Sequence, residues 1–306
     1  MEHKTDVVIV GGGPAGYAAA LYCARAGLST LVLEMLSPGG QMSTTAQVDN
    51  YPGFENGIDG FELGEKMQAG AERFGARSVF VQVTGMELAG DPKMIHTSEG
   101  DVEARAVVLA TGASPRKLGL PEEEELTGRG VAYCATCDGM YYKDKVVAVA
   151  GGGNSAAAEA LTLSKLCRKV YLIHRRDTLR ASGSELRPLE KADNLEFVWN
   201  TQIDRLLYDE KLTGLAITDK VTGKESVLTC DGLFVAIGRE PSTELVKGQL
   251  ELDGQGYVVA DETTRTSLPG VFAAGDLRTK PLRQIVTAAA DGAVAAKYVE
   301  EYLQTL

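Results

Sequence analysis

Two closely spaced cysteines are the first residues in this sequence that could do chemistry. Cys134 and Cys137 form the sequence CATC, and Asp138 and Gly139 follow directly. A CxxC motif serves either as a redox dithiol or as half of a zinc site. Zinc would need two more soft ligands, but the other three cysteines stand singly and the three histidines are scattered. The pattern therefore favours a redox dithiol and no metal.

A redox dithiol needs an attacking thiolate, a resolving thiol within one turn, and a source or sink of electrons. The CATC spacing supplies the two thiols. Asp138 is a candidate acid that would protonate a leaving thiolate, but Asp-Gly is equally typical of a simple turn, and the residues alone leave both interpretations open. Cys23 and Cys167 lie beside Ala and Leu on helix-like segments, where a thiol is usually a small buried apolar group.

A glycine-rich turn between a strand-like run and a helix-prone run occurs twice. The first glycine of this pattern allows a tight turn, the second lets the backbone approach a pyrophosphate, and the third position lets the helix pack closely on the strand. The new helix directs its first N–H groups at the phosphates. Each copy therefore predicts a dinucleotide site. The positions are Gly11, Gly13, Pro14, Ala15 and Gly16 in the first copy, and Gly151, Gly153, Asn154, Ser155 and Ala156 in the second.

Counting onward from each turn separates the two sites chemically. Twenty-three residues after Gly11 comes Glu34, where an acid accepts hydrogen bonds from the hydroxyl groups of a ribose. The same count from Gly151 reaches His174, and an arginine cluster follows. Arginine suits a ribose 2′-phosphate, although such a cluster is often only a solvated surface. We therefore expect FAD or NAD at the first site and NADP(H) at the second. The cluster is Arg175, Arg176 and Arg180.

The domain organisation follows from how each unit closes. The buried-type strands 106–112 and 232–238 both end in Gly and lead into linkers that contain Pro. A further strand at 269–276 and a helix at about 282–302 would complete the first unit. We predict an α/β fold of two Rossmann-like, FAD/NAD(P)-binding domains, the second inserted in the first. The first domain, which we expect to bind FAD or NAD, comprises 1–113 and 242–306. The inserted domain, which we expect to bind NADP(H) and which carries the CxxC motif, comprises 114–241.

Composition limits the class of protein and its partners. The 306 residues allow about two domains, and 44% hydrophobic with 24% charged residues is typical of a globular chain. The net charge of −11 argues against a nucleic-acid partner. The apolar run at 7–24 is interrupted by Pro14 and four glycines, so we expect neither a signal peptide nor a membrane span, and a cytoplasmic location.

The motifs taken together resemble the bacterial-type, low-molecular-weight NADPH-dependent thioredoxin reductases over essentially the whole chain. The combination of CATCDG with HRRDxxR is specific. In chain order the motifs are GGGPAG at 11–16, GGQ at 39–41, DNYPG at 49–53, ATG at 110–112, CATCDG at 134–139, GGGNSA at 151–156, HRRDTLR at 174–180, AIGREP at 236–241, AAGD at 273–276 and RQIVTAAADG at 283–292.

The resemblance implies a homodimer that uses FAD and NADPH to reduce thioredoxin or a thioredoxin-like CxxC protein. It implies that Cys137 faces the flavin, that Cys134 exchanges with thioredoxin and that Asp138 is the acid. It also implies rotation of the NADPH domain about 113–117 and 239–243. The implied FAD contacts, besides the first turn, are Glu34, Gly40, Gln41, Asn50, Ala110, Thr111, Gly112, Gly275, Asp276, Arg283 and Gln284. The implied NADPH contacts, besides the second turn, are His174, Arg175, Arg176, Arg180, Ile237, Gly238 and Arg239.

Three alternatives stay open on the sequence. A relative driven by ferredoxin or by another flavin would lack the second turn and the arginine cluster, and both are present. A reductase of a different CxxC carrier would differ only in the surface around Cys134. A flavoprotein without activity would not need the intact CATCD.

Overall fold

The computed structural model describes residues 4–181 and 183–306, which form two compact units. Unit 1 comprises residues 1–114 and 240–306, and unit 2 comprises residues 115–239. The helices are α1 (Pro14–Arg25), α2 (Gly60–Glu72), α3 (Ala135–Asp138), α4 (Asn154–Ser164), α5 (Gly183–Glu190) and α6 (Ile285–Leu303). Short 3-10 helices span Gly40–Thr44, Gly139–Tyr142 and Glu244–Val246.

The strands occur singly and in two longer runs between these helices. They are β1 (Lys4–Val10), β2 (Thr30–Glu34), β3 (Arg77–Phe80), β4 (Val83–Glu87), β5 (Lys93–Thr97), β6 (Gly100–Leu109), β7 (Ala113–Pro115), β8 (Val131–Ala132), β9 (Val146–Ala150), β10 (Lys169–Ile173), β11 (Leu195–Val198), β12 (Thr201–Tyr208), β13 (Leu212–Asp219), β14 (Glu225–Thr229), β15 (Gly232–Val235), β16 (Arg239–Pro241) and β17 (Val271–Ala273).

Unit 1 is built on a parallel sheet of order β3-β2-β1-β6-β17, to which β5 and β4 add an antiparallel extension on β6. Alternate residues of β1 face opposite sides of the sheet. Val7 and Ile9 pack with α1 and α6, whereas Val8 and Val10 pack with β5 and with the segment that leads into β17. Both faces are therefore covered, as a parallel sheet requires.

Unit 2 repeats this plan with a parallel sheet of order β11-β10-β9-β15-β8. Val147 and Val149 pack with α4 on one face, and Ala148 and Ala150 pack with the antiparallel sheet β12-β13-β14 on the other. The predicted fold class, two Rossmann-like units with the second inserted in the first, is confirmed. Among the described residues, no helix combines the length and the apolar character that crossing a membrane requires.

Several predicted element boundaries were wrong, and the glycines explain most of the differences. The strands predicted at 106–112, 232–238 and 269–276 end at Leu109, Val235 and Ala273. The three strands are followed by Gly112, Gly238 and Gly275, whose φ values lie between +72° and +115°. An extended strand does not allow these φ values.

Helix ends also differ from the predicted ones. Helices α1 and α4 begin within the glycine-rich turns, because Gly13 and Gly153 are their N-cap residues. Helix α4 ends at Ser164, so Cys167 lies just beyond it, although it is buried as expected. The two linkers are not merely polar connections, because β7 and β16 pair with each other.

The contact between α1 and α6 gives a test of the packing in unit 1. A Cβ atom on Gly292 would lie 2.2 Å from the carbonyl oxygen of Ala15, so Gly292→Ala should lower the free energy of unfolding by about 1–3 kcal/mol. Gly70→Ala is the control, because Gly70 is also helical but has no atom within 4 Å of its Cβ position, and it should stabilise by up to about 1 kcal/mol. Calorimetric melting compares the two variants, and equal effects would contradict the tight α1–α6 contact.

Candidate active site

The first glycine-rich turn leaves space for a phosphate. A Cβ atom placed on Gly11 would lie 2.4 Å from the carbonyl oxygen of Ala110, and one placed on Gly16 would lie 1.9 Å from the carbonyl oxygen of Gly11. Both positions therefore require glycine. At Gly13, in contrast, the nearest atom would be 4.0 Å away. This space adjoins the first N–H groups of α1, which have no partner within the helix. The turn therefore fits a pyrophosphate.

Glu34 lies at the end of β2, beside this turn. Its Oε2 accepts the backbone N–H of Gly12 at 2.7 Å, and its Oε1 accepts those of Met35 and Leu36 at 2.8 and 3.1 Å. The three bonds fix the carboxylate next to the phosphate position, and a carboxylate oxygen has more than one lone pair. Glu34 can therefore also accept a ribose hydroxyl group, which fits the adenosine end of FAD.

The other predicted FAD contacts lie where strands of unit 1 end. Ala110–Gly112 follow β6, and Gly275 and Asp276 follow β17. Gly40 lies beside the first turn, because a Cβ atom placed on it would be 3.4 Å from the Cα of Gly13. Carboxyl ends of parallel strands are the usual edge for a bound dinucleotide. The structure therefore gathers these residues around the first turn.

Residues that are far apart in the sequence meet at the same site. Asn50 Nδ2 donates to Gln284 Oε1 at 3.1 Å across 234 positions of the chain. Gln41 Nε2 donates to the carbonyl oxygen of Ala113. The Arg283 guanidinium donates through Nε to the carbonyl oxygen of Asp276 at 3.3 Å and lies 4.0 Å from the ring centre of Tyr257. These contacts orient polar side chains of unit 1 that were predicted to contact FAD.

The second turn repeats the first but carries a different residue over it. A Cβ atom on Gly151 would lie 2.4 Å from the carbonyl oxygen of Ala236, whereas Gly153 has no atom within 4 Å of its Cβ position. The His174 ring lies only 2.1 Å from a Cβ atom placed on Gly152. His174 therefore covers the second turn as Glu34 covers the first, and this turn also has room for a phosphate.

The arginine cluster closes around His174. The backbone N–H of Arg180 donates to the carbonyl oxygen of Gly152 at 2.7 Å, which folds the segment 175–180 back onto the turn. Burial and the three guanidinium charges lower the pKa of His174, so the imidazole is neutral at pH 7. Among the side chains that the structure describes, no carboxylate forms a salt bridge with Arg175, Arg176 or Arg180. The cluster thus has the charge and the exposure to bind a 2′-phosphate.

The remaining predicted contacts of unit 2 lie at the same edge of its sheet. Asn154, Ser155 and Ala156 open α4, and 237–239 follow β15 after a short interval. Ile237 is partly exposed at 38%. The predicted NADPH contacts are therefore all placed around the second turn and the strand ends beside it.

The dithiol also belongs to unit 2. Cys134 and Cys137 form a disulfide, and Cys134 is the N-cap residue of α3. The backbone N–H of Cys137 donates to Cys134 Sγ at 3.2 Å. A hydrogen bond to sulfur favours the thiolate over the thiol, so Cys134 has support as an attacking group once the disulfide is reduced. Cys137 is exposed and Cys134 is half-buried.

Two carboxyl groups lie close to the dithiol. Burial raises the pKa of Asp138 to about 6. Burial also raises the pKa of Glu159 to about 7, although the Arg239 charge and a hydrogen bond from the backbone N–H of Ala135 act in the opposite direction. Glu159 Oε2 is buried and has no hydrogen-bond partner among the described residues. A carboxyl group with a pKa near neutrality can hold a proton and release it, as an acid catalyst must.

The sequence analysis missed Glu159. It lies on α4 among alanines and has no motif of its own, but it follows Ala156 by three positions and precedes Leu163 by four, and both of those side chains are buried. This helical spacing places Glu159 beside the buried face and could have drawn attention to it. Within the described part of the chain, no three His, Cys, Asp or Glu side chains cluster as metal ligands would.

Comparisons with known proteins match this arrangement. A family model described as pyridine nucleotide-disulphide oxidoreductase matches residues 5–292. The chain belongs to this family of oxidoreductases. It is 49% identical to the thioredoxin reductase of Mycolicibacterium smegmatis over 97% of this chain and 96% of that one. The thioredoxin reductase structure from Streptococcus pyogenes superposes with a TM-score of 0.92, at 40% identity and with full coverage of both chains.

A third relative of this oxidoreductase is longer. It is the bifunctional thioredoxin reductase/thioredoxin of Mycobacterium leprae, 47% identical over 98% of this chain and 67% of that protein. The predicted resemblance to thioredoxin reductases is confirmed by these relatives.

The arginine cluster of the oxidoreductase gives a test of its nucleotide preference. Arg175→Gln with Arg176→Gln should weaken NADPH binding roughly 100-fold, since two charge-assisted contacts to a phosphate are lost, and should change NADH binding little. Arg168→Gln is the control, because Arg168 is exposed just before β10, at the opposite end of that strand from His174. Dissociation constants for both nucleotides measure the effect. Equal losses for NADPH and NADH would refute the 2′-phosphate site.

Proposed function

We propose that this chain is an NADPH-dependent thioredoxin-disulfide reductase. The single observation that carries the proposal is the Cys134–Cys137 disulfide with a carboxyl group of raised pKa beside it, in a unit that also has a glycine-rich turn and an exposed arginine cluster. A second dinucleotide turn in unit 1 supplies the place for a further electron carrier. The family membership and the names of the relatives agree with this assignment.

The two cofactors would be held by residues that the site already places together. When bound, NADPH supplies a hydride and FAD passes two electrons to a disulfide. In unit 1, the open side of Gly13 and the carboxylate of Glu34 would hold the pyrophosphate and the ribose of FAD. In unit 2, Gly153 and the arginine cluster would hold the pyrophosphate and the 2′-phosphate of NADPH.

The reduced dithiol would then react by two exchange steps. The Cys134 thiolate attacks one sulfur of the thioredoxin disulfide, a mixed disulfide forms and the partner's S–S bond breaks. Cys137 next attacks Cys134 Sγ, which restores the Cys134–Cys137 bond and releases the partner as a dithiol. Two electrons pass from the chain to thioredoxin, and Asp138 would give a proton to a departing thiolate.

The surface beside the dithiol suits a protein partner. Met140 and Tyr141, three and four residues after Cys137, are 60% and 48% exposed. Exposed apolar side chains next to a reactive group are typical of a protein-binding surface. The Mycobacterium leprae relative is named a bifunctional thioredoxin reductase/thioredoxin, which supports thioredoxin as the partner here. We propose a homodimer and a cytoplasmic location on the family resemblance.

Cys134→Ser tests the assignment of the exchanging thiol. The variant should lose thioredoxin reduction, because no thiolate remains at the position proposed to attack, but its flavin should still be reduced by NADPH. Cys167→Ala is the control, since it removes a buried thiol of the same unit and should change neither reaction. Stopped-flow absorbance follows the flavin, and an insulin-reduction assay follows thioredoxin. If the Cys134→Ser enzyme still reduces thioredoxin, the assignment is wrong.

Asp138→Asn tests the proposed acid. The variant keeps the size of the side chain but has no carboxyl proton, so turnover should fall roughly 100-fold. In the wild-type enzyme the contribution of this acid should decrease as the pH rises from 5 to 8, because Asp138 is protonated below its pKa of about 6 and ionised above it. The variant should lose this component of the pH profile.

The control for this experiment is Asp144→Asn, which changes an exposed aspartate six positions away. Turnover of thioredoxin at saturating NADPH, measured from pH 5 to 8, compares the three proteins. Wild-type turnover in the Asp138→Asn enzyme would leave Asp138 with only the role of a turn residue.

A further inference from the structure

Asp291 lies at the centre of a buried cluster of charges in unit 1. Its Oδ2 accepts hydrogen bonds from Arg278 Nε at 2.9 Å and from Lys280 Nζ at 2.7 Å, and its Oδ1 accepts one from Arg278 Nη2 at 2.9 Å. The side chains of Arg278, Lys280 and Asp291 are 3%, 4% and 10% exposed. Asp291 lies in the motif RQIVTAAADG at 283–292, but none of the three residues was itself predicted to contact a cofactor.

Stability alone does not explain such a cluster. Removing three charges from water costs free energy, and buried ion pairs often contribute no more than apolar side chains of the same size would. Most of the donors of the cluster are nevertheless paired. Arg278 Nη1 also donates to the carbonyl oxygens of Ala260 and Thr279, and Lys280 Nζ donates to that of Thr287. The cluster therefore fixes the loop after β17 against α6 and against the segment around Ala260.

One bond in the cluster reaches a cofactor-binding segment. Asp291 Oδ2 also accepts the backbone N–H of Gly275 at 2.9 Å. Gly275 has a φ of +83°, and a Cβ atom there would lie 2.9 Å from the Cβ of Ala15, in the first turn of α1. Gly292, next to Asp291, approaches the carbonyl oxygen of the same Ala15. Asp291 thus holds the turn that faces the start of α1, where the pyrophosphate would lie.

We infer that Asp291 is a positioning residue for FAD: by accepting the Gly275 N–H it holds the turn at Gly275 and Asp276 in the conformation that binds the cofactor. Arg278 and Lys280 position Asp291 in turn. Arg283 supports the same loop from its other end, because its Nη2 donates to the carbonyl oxygen of Arg278 at 3.2 Å. The inference rests on the proposed function, since it needs FAD at the first turn.

The charge state of Asp291 agrees with this role. Burial raises the pKa of its carboxyl group, but the hydrogen bonds from Arg278, Lys280 and Gly275 outweigh burial and hold the pKa below its usual value. Asp291 is therefore ionised at neutral pH and acts only as an acceptor. Because it carries no proton, it cannot donate a hydrogen bond to the carbonyl oxygens of the loop.

Two matched triple variants separate positioning from packing. Both carry Arg278→Met and Lys280→Met, which removes the cations. One adds Asp291→Asn, which keeps an acceptor oxygen for Gly275, and the other adds Asp291→Leu, which has a similar volume and no acceptor. The variant with Asp291→Leu (the Leu triple) leaves the Gly275 N–H without an acceptor, so its FAD dissociation constant should rise roughly tenfold or more. The FAD dissociation constant of the variant with Asp291→Asn (the Asn triple) should stay within about threefold of the wild-type value.

The measurement uses the purified full-length holoprotein. Flavin fluorescence after serial dilution gives the FAD dissociation constant, and melting temperature gives stability. Loss of FAD in the Leu triple, with FAD retained in the Asn triple at a similar melting temperature, supports the inference. Equal FAD affinity of both triples, whether retained or lost, overturns it.

The Asn triple decides the matter even if the Leu triple does not fold. FAD retained in the Asn triple shows that an acceptor oxygen suffices, and FAD lost there overturns the inference. Failure of the proposed function is a separate result, because then the wild-type protein itself would hold no FAD.

Discussion

The packing of unit 1 depends on backbone approaching backbone at the carboxyl end of β1. A glycine, which has no side chain, makes each of three close contacts: Gly11 with Ala110, Gly16 with Gly11, and Gly292 with Ala15. Each contact would be blocked by one methyl group. Because α1 can then start directly at the end of β1, its first N–H groups lie at the sheet edge. In the proposed function, the phosphate position is a result of this close approach, and the acid, amide and guanidinium groups predicted to contact FAD belong to the same unit.

The two units solve the same problem with different chemistry. Both place a glycine-rich turn at a strand end and cover it with the last residue of the neighbouring strand region, Glu34 over Gly12 and His174 over Gly152. A carboxylate over the turn can accept hydrogen bonds from hydroxyl groups, whereas a neutral imidazole surrounded by arginines leaves their positive charge available to a phosphate. In the proposed function, the backbone geometry therefore selects a dinucleotide, and the covering residue selects which one.

Features that are set within a short stretch of chain could be predicted from the sequence. The two glycine turns, the residues counted from them and the CxxC motif are all set within short stretches of chain, so their geometry follows from residue type. Strand ends were placed too late, because only the φ angles of Gly112, Gly238 and Gly275 show where the chain leaves the sheet. Glu159 and Asp291 were missed because a polar residue in an alanine-rich helix looks solvent-exposed until its partners in other segments are known. The contact of Asn50 with Gln284 depends on the whole fold and has no local signal.

The insertion of unit 2 also determines the order in which the chain can fold during synthesis. Strand β17 and helix α6, which complete the sheet and cover one face of the core of unit 1, come from its last 67 residues, 240–306. At ribosomal rates of about 5–20 residues per second, the remaining 192 residues after position 114 take roughly 10–40 s to appear. Unit 2 can finish folding within that interval, while the apolar face of β1 and α1 stays uncovered. The amino-terminal segment of unit 1 is thus synthesised first, but its apolar face is covered last.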